Sequence, residues 1–248
     1  MTILVTRPAP ANAVTAEALR LRGYDTLLAP VLRYETVAFA DDAGAGAEGV
    51  ILTSANAVRA IAEHPIIRAL AALPVYAVGE QTAETARGAG FADVTAAEGD
   101  AVSLRELILG LVRKKRLKAD ARLVYLSGVD QASDLASELG PHGLRVETVN
   151  VYRMIKLPAF PAAVRDALAA GEVQAVMHYS RRSAVAFVEA ARVEGVEISA
   201  LSLPQCCISE NVAMVVRDAG AHRVAVARTP DEEAMILALE RVLPGDRR

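Results

Sequence analysis

Short apolar runs alternate with longer segments of helical periodicity along nearly the whole chain. Ile3-Leu4-Val5-Thr6 opens the pattern as a strand, and Val14, Ala18 and Leu21 then recur on one helical face up to Gly23. Further runs at 49–53, 75–78, 122–126, 173–179, 205–208 and 223–227 have the length and composition of buried strands, and helical stretches follow most of them. This alternation predicts α/β structure built on parallel sheets, whose ligand sites form beyond the C-terminal ends of the strands. Two segments, 30–37 and 146–154, break the pattern by alternating apolar and polar residues, and they read as extended connectors.

The second half of the chain repeats the first in pieces. Glu80, Ala83, Arg87, Ala89 and Gly90 recur at one offset as Glu210, Ala213, Arg217, Ala219 and Gly220, each set preceded by an apolar strand and followed by a valine, Val94 and Val224. Residues 50–58 match 176–184, and 23–33 match 143–153, at offsets that drift by loop-sized amounts. Repeated strand-turn-helix units imply two similar domains. If the two extended segments are crossings, residues 36–151 form a continuous α/β domain. Residues 1–34 with 153–248 then form a discontinuous one, leaving a cleft spanned by a two-stranded linker.

Composition narrows the function classes. The chain has 248 residues, enough for two domains of ordinary size, and 53% of them are apolar, mostly Ala, Val, Leu and Ile suited to a helix-covered parallel sheet. With 4% aromatic residues, no Trp and a net charge of −3, neither base-stacking platforms nor a general polyanion surface is supplied, so no nucleic acid is expected. The one dense basic run, Arg113-Lys114-Lys115-Arg116 with Lys118, ends an expected helix and suits its C-terminus. The first residues carry no secretory pattern and no run spans a bilayer, so the expectation is a cytoplasmic protein without a membrane segment. Adjacent Cys206 and Cys207, in an expected buried strand, read as small apolar fillers in a reducing compartment.

His64, His142, His178 and His222 are scattered without metal-ligand spacing, and there is no Cys-x-x-Cys, so no metal is expected. Gly79-Glu80-Gln81 lacks the second and third glycines of a dinucleotide fingerprint, and no phosphate loop occurs, so no organic cofactor is expected either. The turns Thr53-Ser54-Ala55-Asn56, Gly79-Glu80-Gln81-Thr82, Ser127-Gly128, Ser180-Arg181-Arg182-Ser183 and Ser209-Glu210-Asn211 each read as following a strand and opening a helix, where backbone N–H groups bind anions. Ser54, Thr82 and Ser183 read first as N-caps that satisfy the helix's orphan amides, a role compatible with ligand contact. Arg7, just past the first strand, reads as a bidentate carboxylate clamp or as half of a surface ion pair, and Arg181 and Arg182 share that ambiguity. Tyr152, on a connector, is a candidate proton donor or a packing ring.

The residues Val5-Thr6-Arg7-Pro8, Leu52-Thr53-Ser54-Ala55-Asn56-Ala57-Val58, Ala77-Val78-Gly79-Glu80-Gln81-Thr82-Ala83, the stretch 143–149 followed by Val151-Tyr152-Arg153, and His178-Tyr179-Ser180-Arg181-Arg182-Ser183-Ala184 stand in order along the chain. Together they resemble the uroporphyrinogen-III synthase family over nearly its whole length. The resemblance implies two α/β domains joined by a two-stranded linker, and closure of hydroxymethylbilane into uroporphyrinogen III with inversion of the last pyrrole. It implies no metal and no cofactor.

That substrate carries eight carboxylates, so the resemblance implies many hydrogen-bond donors. The expected substrate contacts are Arg7, Thr53, Ser54, Asn56, Gly79, Gln81, Thr82, Ser127, Gly128, Ser180, Arg181, Ser183 and Asn211, with Tyr152 carried over from the family's Val-Tyr motif as the catalytic acid. The C-terminal copy of the strand-Gly turn departs from the pattern, with Ser209 and Val212 where Gly79 and Thr82 stand in the first copy; loss of glycine is expected to restrict that turn. The expected partners are the bilane and, transiently, hydroxymethylbilane synthase, around a monomer. The alternatives are a non-catalytic two-domain binding protein for a small anionic ligand, closing about a hinge, and a nucleotide-dependent transferase.

Overall fold

The computed structural model describes residues 1–130 and 134–243. In chain order the strands are β1 (Thr2–Val5), β2 (Asp25–Leu28), β3 (Leu32–Thr36), β4 (Gly49–Leu52), β5 (Val75–Ala77), β6 (Val94–Ala96), β7 (Arg122–Gly128), β8 (Arg145–Lys156), β9 (Val173–His178), β10 (Gln205–Cys207) and β11 (Val224–Val226). The chain divides into two compact units, Met1–Arg33 with Ile155–Arg248, and Tyr34–Met154. The crossings fall inside β3 and β8, which are neighbours in one sheet. Val37 N–H donates to the Val151 carbonyl and Leu157 N–H to the Val31 carbonyl, so β3 and β8 run in opposite directions.

In the discontinuous unit the sheet order is β2-β1-β9-β10-β11, and every pairing is parallel. Numbered within the unit this is the doubly wound order 2-1-3-4-5, whose chain reversal lies between β1 and β9. The continuous unit has β8-β7-β4-β5-β6 with β3 added at the β8 edge, parallel from β8 to β6. The two orders match strand for strand once β7 is set against β1. Val5 lies between Met177 and Leu28, and Tyr125 lies between Ile51 and Thr148. The N-terminal strand-helix-strand of the chain therefore occupies in one unit the place that residues 122–156 occupy in the other.

Because β4 and β7 are covered on both faces, their apolar residues run continuously rather than alternating. Val50, Leu52, Val124, Leu126 and Val149 pack on one face of the continuous unit with Ala57, Val58 and Ile61, while Ile51, Tyr76, Leu123 and Tyr125 pack on the other with Leu104, Ile108 and Leu139. In the discontinuous unit Ile3, Val5, Ala175, Met177 and Cys206 meet Met235, Ile236 and Leu239 of the last helix. Cys206 and Cys207 are fully buried fillers, and burial pushes both thiols up to about 12.

Several local expectations need correcting. The helix Ala11–Arg20 buries Asn12, Thr15, Ala16 and Leu19, whereas Val14 and Leu21 are 66% and 79% exposed. Its alanines leave the apolar phase ambiguous, and the face that turns inward is the one carrying Asn12 and Thr15. Strands β2 and β6 escaped the periodicity because they are short and half-exposed. Ser127 and Gly128 do not open a helix; they complete β7. The N-caps are Gly79 and Ser180, while Thr82 and Ser183 lie buried in the first turns behind them. Ser209 does not restrict its turn either, since it is extended (φ −156°) like Gly79 (φ −170°), a conformation any residue adopts.

Candidate active site

Parallel pairing aligns the C-terminal ends of neighbouring strands, so residues far apart in sequence come to one edge of each sheet. In the continuous unit that edge carries Asn150 and Tyr152 from β8, Ser127 and Gly128 from β7, Thr53 and Ser54 beyond β4, and Gly79 beyond β5. Val78 N–H donates to the Leu52 carbonyl at 2.8 Å, extending the β4–β5 pairing into both turns. The expected residues Thr53, Ser54, Gly79, Ser127, Gly128 and Tyr152 thus stand along four adjacent strand ends. Asn56, Gln81 and Thr82 follow in the helices Ala55–Ile61 and Glu80–Gly88.

Hydrogen bonds fix most of these side chains. Ser54 Oγ accepts from Asn56 N at 3.1 Å, which makes Ser54 the cap of its helix. Arg59 Nη1 donates to Asn56 Oδ1 at 2.9 Å, and Asn56 Nδ2 lies 3.7 Å from Met154 Sδ. Thr53 Oγ1 is 2.9 Å from the Tyr125 hydroxyl, and Ser127 Oγ donates to Asn150 Oδ1 at 2.9 Å. Burial pushes the Tyr125 phenol above its ordinary range, partly offset by the bond to Thr53, so it stays protonated at neutral pH. Gln81 is exposed and Thr82 is buried.

Tyr152 reaches this edge through an irregularity in the β7–β8 ladder. Ser127 pairs with Asn150 but Gly128 pairs with Tyr152, so Val151 is an extra residue. The Tyr34 ring stacks on Tyr152 with centroids 5.8 Å apart and planes at 27°, and the Tyr34 hydroxyl lies 3.5 Å from the Asn56 carbonyl oxygen. Tyr34, Tyr125 and Asn150 were not among the expected site residues. Tyr34 and Tyr125 sit inside strands and Asn150 pairs with Ser127 on the neighbouring strand, so their place at this edge becomes visible only once the pairing register is known.

In the discontinuous unit the same edge carries Arg7 past β1, Tyr179 and Ser180 past β9, and Ser209 past β10. Arg7 is engaged from three sides. Its Nη1 donates to Glu232 Oε2 at 3.0 Å and to Thr15 Oγ1 at 3.1 Å, and its Cζ lies 4.2 Å from the Tyr179 ring centroid. The Tyr179 hydroxyl donates to the other Glu232 oxygen at 2.6 Å. Burial first, then the Glu232 charge, push the Tyr179 phenol well above its usual value. This geometry is that of a half-buried ion pair, with side chains 18% and 29% exposed, joining segments from opposite ends of the chain. Ser180 caps the helix Arg181–Val193, accepting from Ser183 N at 3.1 Å and donating to Ser183 Oγ at 2.9 Å. Arg181, Arg182 and Asn211 are exposed.

Behind this edge His178 is fully buried. Gln205 gives its amide N–H groups to the carbonyls of Ala200 and Leu203, so its oxygen faces His178 Nε2 at 2.9 Å and that nitrogen carries the proton. Desolvation lowers the imidazole to about 4. Cavities of about 390 Å³ beside Arg122 and Arg145 and about 590 Å³ between Ile198 and His222 lie at the opposite, N-terminal ends of the strands.

Comparison with known proteins decides the family. The family described as "Uroporphyrinogen-III synthase HemD" matches residues 13–237. The chain belongs to the uroporphyrinogen-III synthase family. Enzymes of this family act in tetrapyrrole synthesis. Among solved structures, the uroporphyrinogen-III synthetase of Helicobacter pylori is similar with a TM-score of 0.66 and 22% identity, over 97% of this chain and 99% of that one. A mutant uroporphyrinogen III synthase from the extremely thermophilic bacterium Thermus thermophilus is similar with a TM-score of 0.61 and 19% identity, over 98% of each chain. At such identities the likeness is one of fold, two parallel-dominated α/β units. No curated protein matches the chain. The matches give no support to a solute-binding protein.

Proposed function

We propose that the chain is a cyclising lyase that converts hydroxymethylbilane into uroporphyrinogen III, releasing water and inverting the terminal pyrrole. The family match over residues 13–237 carries this reading. In the reaction the bond from the hydroxymethyl carbon to oxygen breaks, the pyrrole nitrogen supplies the electron pair, and the departing hydroxide takes a proton and leaves as water. The substituted carbon of the last ring then attacks the resulting azafulvene, forming a spiro carbon. Fragmentation and reclosure invert that ring, and loss of a proton restores the pyrrole.

We assign the roles to residues at and just beyond the strand ends. Tyr152, seated at the β7–β8 edge, donates the proton to the leaving hydroxyl, and its phenolate is then available for the proton lost at reclosure. Ser54, Ser127, the Gly79 turn and Asn56 on the continuous unit, and Arg7, Ser180, Arg181, Ser183 and Asn211 on the other, supply donors for the carboxylates. Thr53, Gln81 and Thr82 complete the assigned contacts. Because the electron-rich pyrrole supplies the driving force, the protein's larger task is to orient a flexible chain so that its ends meet at the substituted carbon. We read the enzyme as a cytoplasmic monomer that meets hydroxymethylbilane synthase transiently. No helix among the described residues is long and apolar enough to cross a membrane.

The test of the site is bilane turnover by Tyr152→Phe, which keeps the ring and removes the hydroxyl. Turnover should fall about a hundredfold, the lower range for a positioned acid, while the type III preference survives. Unchanged turnover would assign Tyr152 to packing, and loss of isomer preference at normal turnover would assign it to substrate orientation.

A further inference from the structure

The β7–β8 ladder holds a glycine that its own backbone does not require. Gly128 is not among the glycines with positive φ, so its conformation is open to any residue. What a side chain there would meet is specific. The three atoms nearest a Cβ at this position are Cζ, Cε2 and the hydroxyl oxygen of Tyr152, at 2.8, 3.0 and 3.1 Å. Other tight glycines differ in kind: a Cβ at Gly143 would strike the Ala119 backbone carbonyl, and one at Gly44 the core side chain of Val124.

The extra residue acts together with this gap. Without a bulge, alternation along β8 would send Tyr152 to the face opposite Val149 and Val151. With Val151 inserted, Tyr152 packs with the cluster that also contains Val149, Val151 and Leu126, and its ring comes to rest against Gly128. Val129 N–H donates to the Tyr152 carbonyl at 2.9 Å across the β7–β8 pair, so the ladder resumes immediately and pins the backbone on both sides of the phenol. The Tyr34 ring stacks on the phenol as well.

We propose that Gly128 is a positioning residue, whose missing side chain forms, with the Val151 bulge, the seat that fixes the Tyr152 hydroxyl at the C-terminal edge of the sheet. This rests on the reading of Tyr152 as the proton donor, and it gives Gly128 a role through the phenol in place of direct contact with substrate. Gly128→Ala puts a methyl group where the phenol ends. That end is the tip of a side chain able to swing, so the ring moves and the strand stays.

The experiment compares wild type, Gly128→Ala, Tyr152→Phe and the double variant in steady-state turnover of hydroxymethylbilane, with the Tyr152 ¹³Cζ resonance read in ¹³C-tyrosine-labelled protein and assigned by its absence from Tyr152→Phe. Gly128→Ala should lower kcat about tenfold or more, as expected for a reacting group displaced by an ångström, with KM within about twofold of wild type. It should add nothing to Tyr152→Phe, where no hydroxyl remains to misplace. Its Tyr152 resonance should shift. An equal loss in both backgrounds, or a raised KM at unchanged kcat, overturns the proposal, because Gly128 then acts without the phenol. An unmoved resonance overturns it whatever the kinetics. Wild-type turnover in Tyr152→Phe removes the phenol from the chemistry and with it the catalytic consequence of the seat, leaving the resonance to report whether Gly128 positions the ring.

Discussion

His178 makes the fold sensitive to acid by an amount the structure sets. The imidazole is fully buried, its Nε2–H is held by Gln205, its Nδ1 lies 3.4 Å from Thr6 Oγ1, and the Phe187 ring stands edge-on at 5.0 Å. Thr6 already donates its hydroxyl proton to the Met177 carbonyl at 2.9 Å, and no carboxylate is among the groups that set its titration. The neutral ring is therefore favoured in the fold, at about 4, against about 6.5 in the unfolded chain. Between those values the unfolded chain binds the proton and the folded one does not, so the contribution is fully present above about pH 6.5 and is lost as pH falls toward about 4. The full loss is about 3 kcal/mol, of which about 2 kcal/mol falls between about pH 8 and pH 5. Urea unfolding of wild type and His178→Gln across this range isolates the effect, since titrations elsewhere are common to both. His178→Gln should be less stable near neutrality, because a different side chain must fill the site, yet should lose about 2 kcal/mol less than wild type on acidification. Parallel pH profiles for the two proteins would refute the reasoning.

Two further outcomes follow from the packing and the caps. Cys206 and Cys207 are buried in β10 with thiols pushed up to about 12, so a thiol reagent near pH 8 should label neither in the folded protein and both after unfolding; rapid native labelling would contradict their burial. Ser180→Ala should cost about 1 kcal/mol in urea unfolding because the Ser183 amide loses its cap, and Ser180→Asp should restore most of it. If Ser180 also contacts substrate, the alanine variant raises KM for the bilane in addition; an unchanged KM confines it to capping.

What the sequence could reveal depended on how local the determinant is. The strand-turn-helix repeats were legible because each is one contiguous motif, as at Leu52-Thr53-Ser54 and Val78-Gly79-Glu80, and because a buried parallel strand needs an unbroken apolar run. The alternation of 146–154 was likewise visible, although β8 turned out to be a long strand paired with both β7 and β3. Partnerships set by topology stayed hidden. Arg7 and Glu232 meet across 225 positions, and Thr53 and Tyr125 across 72, because sheet order brings those ends together. No spacing rule encodes such a contact. The bulge at Val151 was hidden for a related reason: a one-residue slip is defined only by the partner strand, yet it decides which face Tyr152 takes. The phase of the helix Ala11–Arg20 was misread because alanine fits either face, and the choice was made by the buried Asn12 and Thr15.

The most direct test of the central claim is the isomer composition of the product. Freshly prepared hydroxymethylbilane, incubated with the purified protein in the presence of chelator and without nucleotide, should yield mainly the type III uroporphyrinogen, with the ring-inverted product accumulating in proportion to enzyme concentration. A product mixture indistinguishable from the type I isomer formed in the protein's absence would contradict the account.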